Sequence, residues 1–165
     1  MTPPDGIGAP RSHAKIAGSE DALARIRSLP RPLVFTNGVF DVLHRGHVAY
    51  LEQARALGAA LVVAVNSDAS VRRLGKGEDR PLNPLEDRMA VIAGLAAVDL
   101  VVPFDADTPR DLIAECLPDV LVKGGDYTKE TTAGAAEVIA AGGRFVPIPF
   151  ASAHSTTALL KRIRG

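Results

Sequence analysis

Residues 36–47, TNGVFDVLHRGH, decide how the rest of the chain is read. They grow out of an apolar run, PLVFT at 32–36, and bring Gly38, Asp41, His44, Gly46 and His47 into one short segment. A buried strand that ends in a glycine-bearing turn and then feeds a helix is the opening unit of a parallel sheet. The helix pattern follows at once: Val48, Leu51, Ala54 and Leu57 recur at helical spacing over 46–57, and Gly58 is a stop.

The same alternation continues along the chain. Residues 61–65, 100–102, 120–122 and 144–148 read as four more short strands, with helical patterns at 84–96, 133–141 and 155–163. A further helix runs to about Leu117 with Thr108 as cap and Pro109 in first position. Unbroken apolar strands separated by helices predict an α/β fold: a doubly wound, Rossmann-like sheet of five parallel strands with helices on both faces. Residues 31–165 make that single domain. Residues 1–30 form an N-terminal arm, loose over 1–12, and a helix capped by Ser19 that runs to about Leu29. In such sheets ligands bind beyond the carboxyl ends of the strands, where strand order reverses, and residues 36–47 leave the first strand there.

Composition narrows the partners. The 165 residues carry 19 Lys+Arg and 19 Asp+Glu, so the formal charge is zero, and no long basic run suggests nucleic acid. One cysteine, Cys116, excludes an internal disulfide framework and reads as a small core residue. No stretch reaches the roughly 18 apolar residues of a membrane span, and the N-terminus lacks a signal-peptide core. A cytoplasmic protein without nucleic-acid or membrane partners is expected.

The chemistry lies in residues 36–47. Gly38 permits close approach of backbone to a ligand. His44 and His47, three apart, share a face at the start of a helix whose free N–H groups attract an anion. Zinc fits poorly, because a helical catalytic pair is usually four apart with a glutamate between. The familiar phosphate loops are absent: Lys76 lies between Gly75 and Gly77 rather than before Ser or Thr, and no G-x-G-x-x-G opens a helix. Three further stretches supply polar groups. KGEDRPLNPLEDR at 76–88 brings Lys76, Arg80 and Arg88. LVKGGDY at 121–127 leaves the fourth strand with Lys123, Gly124 and Gly125, whose backbone N–H groups could meet a ligand. HSTTALLKRI at 154–163 opens the last helix with three hydroxyls, where a cap needs one.

The pattern Gly38-x-Phe40-Asp41-x-x-His44-x-Gly46-His47 resembles the signature of the nucleotidyltransferase superfamily that shares the HIGH motif with class I aminoacyl-tRNA synthetases. With VAVNSD, RPLNPLEDRM, LPDVLVKGGDY and HSTT following in order, residues 32–163 resemble the heptose 1-phosphate adenylyltransferase family of ADP-heptose synthesis for lipopolysaccharide core precursors. Many members are fused to a sugar kinase; no kinase domain fits in the residues outside 32–163, so a stand-alone form is expected. Arg45 in the second position of the motif, and the loop FASAH at 150–154, depart from the familiar pattern; that loop is where the base would be touched.

The resemblance implies transfer of AMP from ATP to D-glycero-β-D-manno-heptose 1-phosphate, with magnesium bridging phosphates and no protein ligand assigned to it. It casts His44, His47 and Lys76 as catalytic. It gives the nucleotide Asn37, Gly38, Val39 and Phe40 through their backbone, then Gly46, Lys123, Gly125 and Asp126, with Ser155, Thr156 and Thr157 on the β- and γ-phosphates. Asp41, Lys76, Arg80 and Arg88 go to the acceptor. Relatives imply a homo-oligomer, and an exposed edge strand would offer a pairing route. The rival enzyme is a cytidylyltransferase acting on glycerol 3-phosphate or a similar phosphate, and the rival outside enzymology is a nucleotide-binding regulatory module. A synthetase is excluded by the absence of a KMSKS-like loop and of room for an anticodon domain.

Overall fold

The computed structural model describes residues 7–150 and 155–165. Residues 1–6, and 151–154 with most of the FASAH loop and His154, lie outside the described residues. Five strands, β1 (Leu33–Gly38), β2 (Ala60–Asn66), β3 (Leu100–Phe104), β4 (Val120–Gly124) and β5 (Arg144–Ile148), form one sheet in the order β3-β2-β1-β4-β5. All four pairings are parallel. The expected doubly wound fold is therefore what the chain adopts, and the strand order reverses between β1 and β4.

Alternation along β1 shows how the core divides. Leu33 and Phe35 face one layer with α1 (Ala22–Arg27), α5 (Arg110–Cys116) and α6 (Ala135–Ala140). Val34 faces the other layer with α2 (Arg45–Arg55) and α4 (Leu85–Ala93). Because β1, β2 and most of β3 and β4 are covered on both faces, they need apolar residues at every position, which is why they read as runs. Cys116 is buried among the first layer, and burial pushes its thiol up to about 12, the reactivity of a core residue.

Several boundaries differ from expectation for local reasons. Ser19 does not cap α1; residues 19–21 turn on a bond from Asp21 N–H to the Gly18 carbonyl, and the helix starts at Ala22. Thr108 does not cap α5, which begins after Pro109 and ends where Leu117 turns left-handed at φ 42°. A 3-10 turn, Arg11–Lys15, and a short helix α3 (Asp68–Arg73) have no counterpart in the sequence reading. The 3-10 turn leads into Ile16, which bridges Val101, and Ala17 N–H donates to the Val101 carbonyl. That segment covers part of the β3 edge. Both edge strands also carry a proline, Pro103 in β3 and Pro147 in β5, which removes an N–H from each rim and blunts strand addition.

Gly58 ends the link from α2 to β2 in a tight space. A β-carbon there would run into the Pro32 carbonyl oxygen and stand 2.7 Å from the Val34 side chain, and neither is free to move. Gly58→Ala is expected to cost about 1–3 kcal/mol through overpacking, read as a fall in the urea midpoint. An unchanged midpoint would show that this join is looser than its geometry.

Candidate active site

β1 delivers Asn37 and Gly38 to the carboxyl edge of the sheet, and the chain then makes a sharp turn. Phe40 is left-handed at φ 48° and its ring folds back over Gly38, where a β-carbon would meet it at 2.8 Å. Glycine at 38 therefore makes room for Phe40. The Phe40 ring in turn meets His47 edge-on, with centroids 5.6 Å apart.

Two ion pairs hold this turn, one buried on both sides and one enclosed at its arginine. The Asp41 side chain has 0% exposure and takes the Arg80 guanidinium at 2.6 Å, with the N–H groups of Leu82 and Asn83 at 2.9 Å. Burial by itself would raise the Asp41 carboxyl; the Leu82 and Asn83 N–H groups and Arg80 overcome it and hold the group below its usual value. Arg88, also at 0% exposure, donates to the Val39 carbonyl at 2.8 Å, the Asn83 carbonyl at 2.9 Å and the Asp68 carboxylate at 2.7 Å. Asp41 and Arg88 were expected to meet the acceptor; their polar atoms are spent on the protein. They position the loop. A motif shows which residues recur together, not which of them are buried.

The histidines cap α2 reciprocally. Gly46 N–H donates to His44 Nδ1 at 3.1 Å, and His44 N–H donates to His47 Nδ1 at 3.2 Å. The rings lie with centroids 3.9 Å apart. An Nδ1 that accepts carries no proton, so each neutral ring holds its proton on Nε2 and offers a donor there. Burial, then the proximity of His44, lowers His47 to about 4, so it is neutral at physiological pH.

Cations face the histidines. Lys123, at the end of β4, donates to Asn37 Oδ1 at 3.1 Å and stands 5.2 Å from the Tyr127 ring centroid. Burial, then Lys76, lowers its ammonium to about 8. Among the described residues no carboxylate pairs with Lys76 or Lys123. Two close cations without a counterion are arranged for an anion. The segment carrying Lys76 is tied at its far end on two sides, by Arg80 to Asp41 and by Asp79 to Arg164 of α7 (Thr156–Arg164). At the start of α7, Ser155 Oγ accepts from Ala158 N–H and Thr156 Oγ1 donates to the Val42 carbonyl, each at 3.0 Å. So one hydroxyl caps, one ties α7 to the histidine loop, and Thr157 lines the cleft.

These groups enclose a cleft of about 480 Å³. Of the residues expected at a site, Asn37, Gly38, Val39, Phe40, Asp41, His44, His47, Lys76, Arg80, Lys123, Ser155, Thr156 and Thr157 line it. Gly46, Arg88, Gly125 and Asp126 do not. Gly125 N–H is already bonded to the Ile148 carbonyl, and Gly124 and Tyr127 reach the cleft in place of Gly125 and Asp126. Tyr50 and Phe150 complete the wall. Tyr50 stands one helical step beyond His47 and would have been legible from that spacing.

A family model described as cytidylyltransferase-like matches residues 35–161. The chain belongs to this family. It is 57% identical over 160 residues, 96% of this chain and 99% of the other, to a Bordetella bronchiseptica protein named D-beta-D-heptose 1-phosphate adenylyltransferase, which bears out the resemblance read from the motifs. The bifunctional protein HldE of Shewanella sp. (strain ANA-3) is 58% identical over 149 residues, 88% of this chain, and the chain spans 31% of its length. Among solved structures, the lipopolysaccharide core biosynthesis protein from Thermoplasma volcanium aligns with a TM-score of 0.60 at 27% identity, over 74% of this chain and 98% of that one. A pantoate-beta-alanine ligase from Francisella tularensis, at 0.58 and 14% identity over 86% of this chain and 68% of that one, shares the fold alone.

Arg80→Met strands the buried Asp41 carboxylate, so the variant should lose about 3–5 kcal/mol in urea unfolding. Because the folded Asp41 value is depressed, its stabilisation is complete above the ordinary carboxylate range and is lost as pH falls through the folded value. Asp41→Asn should flatten that acid-side loss, and a loss of unchanged slope would assign it to other carboxylates. For Lys123, the charged form is full below about 8 and is lost as pH rises through it. Calorimetric affinity for inorganic tripolyphosphate should therefore weaken above that pH in the native chain and hold steady in Lys123→Arg. Identical profiles would remove Lys123 from the anion site.

Proposed function

We propose that this chain transfers the adenylyl group of ATP to D-glycero-β-D-manno-heptose 1-phosphate, giving ADP-heptose and pyrophosphate. One observation carries the reading. The histidine cleft adjoins a second hollow of about 260 Å³ over the ends of β2 and β3, and both share the wall formed by Asn37, Gly38, Val39, Lys76, Lys123 and Tyr127. A reaction between two anions needs two pockets that meet at shared cations. The Bordetella relative's name supplies the substrate pair.

The triphosphate takes the larger hollow, where the histidines and the start of α7 lie. The acceptor takes the smaller, which holds Asn66, Thr108 and Thr132 as hydroxyl partners. An acceptor phosphate oxygen attacks the α-phosphorus in line, the bond from that phosphorus to the α–β bridging oxygen breaks, and pyrophosphate leaves with the electron pair. The nucleophile is already an anion, so no side chain has to remove a proton. His44 and His47 donate from Nε2 to charge that grows on the bridging oxygen. Lys76 and Lys123 draw the two anions together against their repulsion. Ser155 and Thr157, with the α7 N–H groups, meet the outer phosphates.

Magnesium enters as the phosphates' counterion and supplies charge neutralisation when bound to them. The donor set fits that arrangement: Asp41, the carboxylate of the cleft wall, is spent on Arg80. Among the described residues no group of three His, Cys, Asp or Glu side chains gathers to hold a metal. No helix among them is long and apolar enough to cross a membrane. Cytoplasmic location and a homo-oligomer belong to this reading.

The test is pyrophosphate release from ATP with the heptose phosphate, against CTP with glycerol 3-phosphate. Release should be specific to the first pair, and His47→Ala should lower kcat by about 10²–10³ while still unfolding cooperatively, its thermal midpoint lowered only by the lost cap. Faster release from the second pair would overturn the substrate assignment. Full turnover in His47→Ala would overturn the histidine's role.

A further inference from the structure

A third hollow, of about 430 Å³, lies between the segment 76–80 and α7. It shares Lys76, Arg80 and Thr157 with the histidine cleft, and it meets the acceptor hollow at Lys76 alone. The cleft therefore has the acceptor on one side and this third space on another.

The face that α7 turns to the third hollow follows from its spacing. Thr157, Leu160, Lys161 and Arg164 stand at i, i+3, i+4 and i+7, so they form one row, and all four line the hollow. No residue of α7 is buried, so a core did not select that row. Lys161 and Arg164 join Lys76 and Arg80 to make four cations around the space. Two of them are engaged, Arg80 by Asp41 and Arg164 by Asp79. Asp79 is the carboxylate of this hollow, and Arg164 neutralises it. Lys76 and Lys161 remain, and among the described residues no carboxylate pairs with either. The helix dipole favours cations in the last turn of α7 but is indifferent to the face they take. Arg162, in the same turn, lies off the hollow.

We propose that this hollow is a product site for inorganic pyrophosphate, in which Lys161 receives the anion once its bond to the α-phosphorus has broken. The proposal rests on the transfer reading, which supplies the ligand. Attacking and leaving oxygens stand roughly in line across the phosphorus. With the acceptor over β2 and β3, the leaving group faces away from it, toward the start of α7. At that moment the sugar product fills the acceptor hollow. The outer phosphates of ATP are tethered to the nucleoside and stop at the first turn of α7. Free pyrophosphate can move one turn further, about 6 Å along the helix, to Lys161.

The tether provides the test. By calorimetry Lys161→Ala should bind inorganic pyrophosphate about fivefold more weakly, the upper range for an exposed ion pair. Pyrophosphate should inhibit transfer less by the same factor, while KM for ATP stays within about twofold. Lys161→Arg should restore both affinities. Arg162→Ala removes the same charge from the same turn and should change neither. Equal weakening of ATP and pyrophosphate in Lys161→Ala would put the lysine in the triphosphate seat and overturn the product site. Equal weakening in Arg162→Ala would reduce the effect to the net charge of α7, and an unchanged pyrophosphate affinity in Lys161→Ala would leave the hollow without this ligand; either result overturns the site. A selective loss of pyrophosphate binding in a chain that transfers nothing to either acceptor would uphold the pyrophosphate site and remove the transfer reading. Full transfer with pyrophosphate inhibition unchanged in Lys161→Ala would keep the transfer and remove the site.

Discussion

A guanidinium without solvent contact holds the site together. Arg88 reaches from α4 to the Val39 carbonyl, the Asn83 carbonyl and the Asp68 carboxylate, and so joins the turn after β1, the segment before α4 and the start of α3. A buried charge is tolerable only when each donor direction is met. These three segments must therefore keep their relative places or leave a cation bare in the core. Asp41 and Arg80 apply the same constraint beside it, with opposite roles: here the carboxylate is the enclosed group and the backbone comes to it. The left-handed Phe40 lies between the two clamps, so its strain is held from both sides.

That rigidity matters because the chemistry is positional. The two hollows meet over the carboxyl ends of β1 and β4, at the reversal of strand order, where diverging helices leave space. Asn37 on β1 accepts from Lys123 on β4, so the cation at the junction is aimed from the neighbouring strand. Lys76 comes from a loop, between Gly75 and Gly77, both at positive φ, and its segment is tied to Asp41 at one point and to α7 at another. One lysine is fixed by the sheet and the other is placed by a tethered loop, an arrangement suited to admitting a substrate between them.

The sheet was legible in the sequence because strands covered on both faces must be apolar throughout, and β-branched runs such as LVVAV leave few alternatives. The histidine turn was legible for a related reason: glycine and histidine at fixed offsets are costly choices that serve one purpose. What escaped was long-range. Asp41 and Arg88 look like ligands because they are charged, and only the fold shows that their partners are Arg80, Asp68 and backbone carbonyls. Gly124 and Gly125 look like a phosphate turn until Phe150, over twenty residues later, is found on top of them. The helix α3 is six residues, with two buried, too short for a periodic pattern to stand out. Charge and glycine mark that a position is special; they do not say whether the reason lies in a ligand or in another part of the chain.

The protonation of the two histidines follows from this same economy of partners. A helix start has unmet N–H groups, and usually a hydroxyl or carboxylate meets them. Here the Nδ1 atoms do, and an acceptor at Nδ1 forces the ring proton onto Nε2. Protonating either ring fully would break its capping bond as well as place charge in a partly buried pocket, and His47 is accordingly driven toward its neutral form. The cap therefore fixes the tautomer, and the tautomer fixes the donor. Lys76 and Lys123 bring positive charge to the site, and they neither cap α2 nor pair with a carboxylate among the described residues. Dividing the work this way lets His47, neutral at physiological pH, follow charge as it moves onto a leaving oxygen, while the lysines answer for the net charge of whatever is bound.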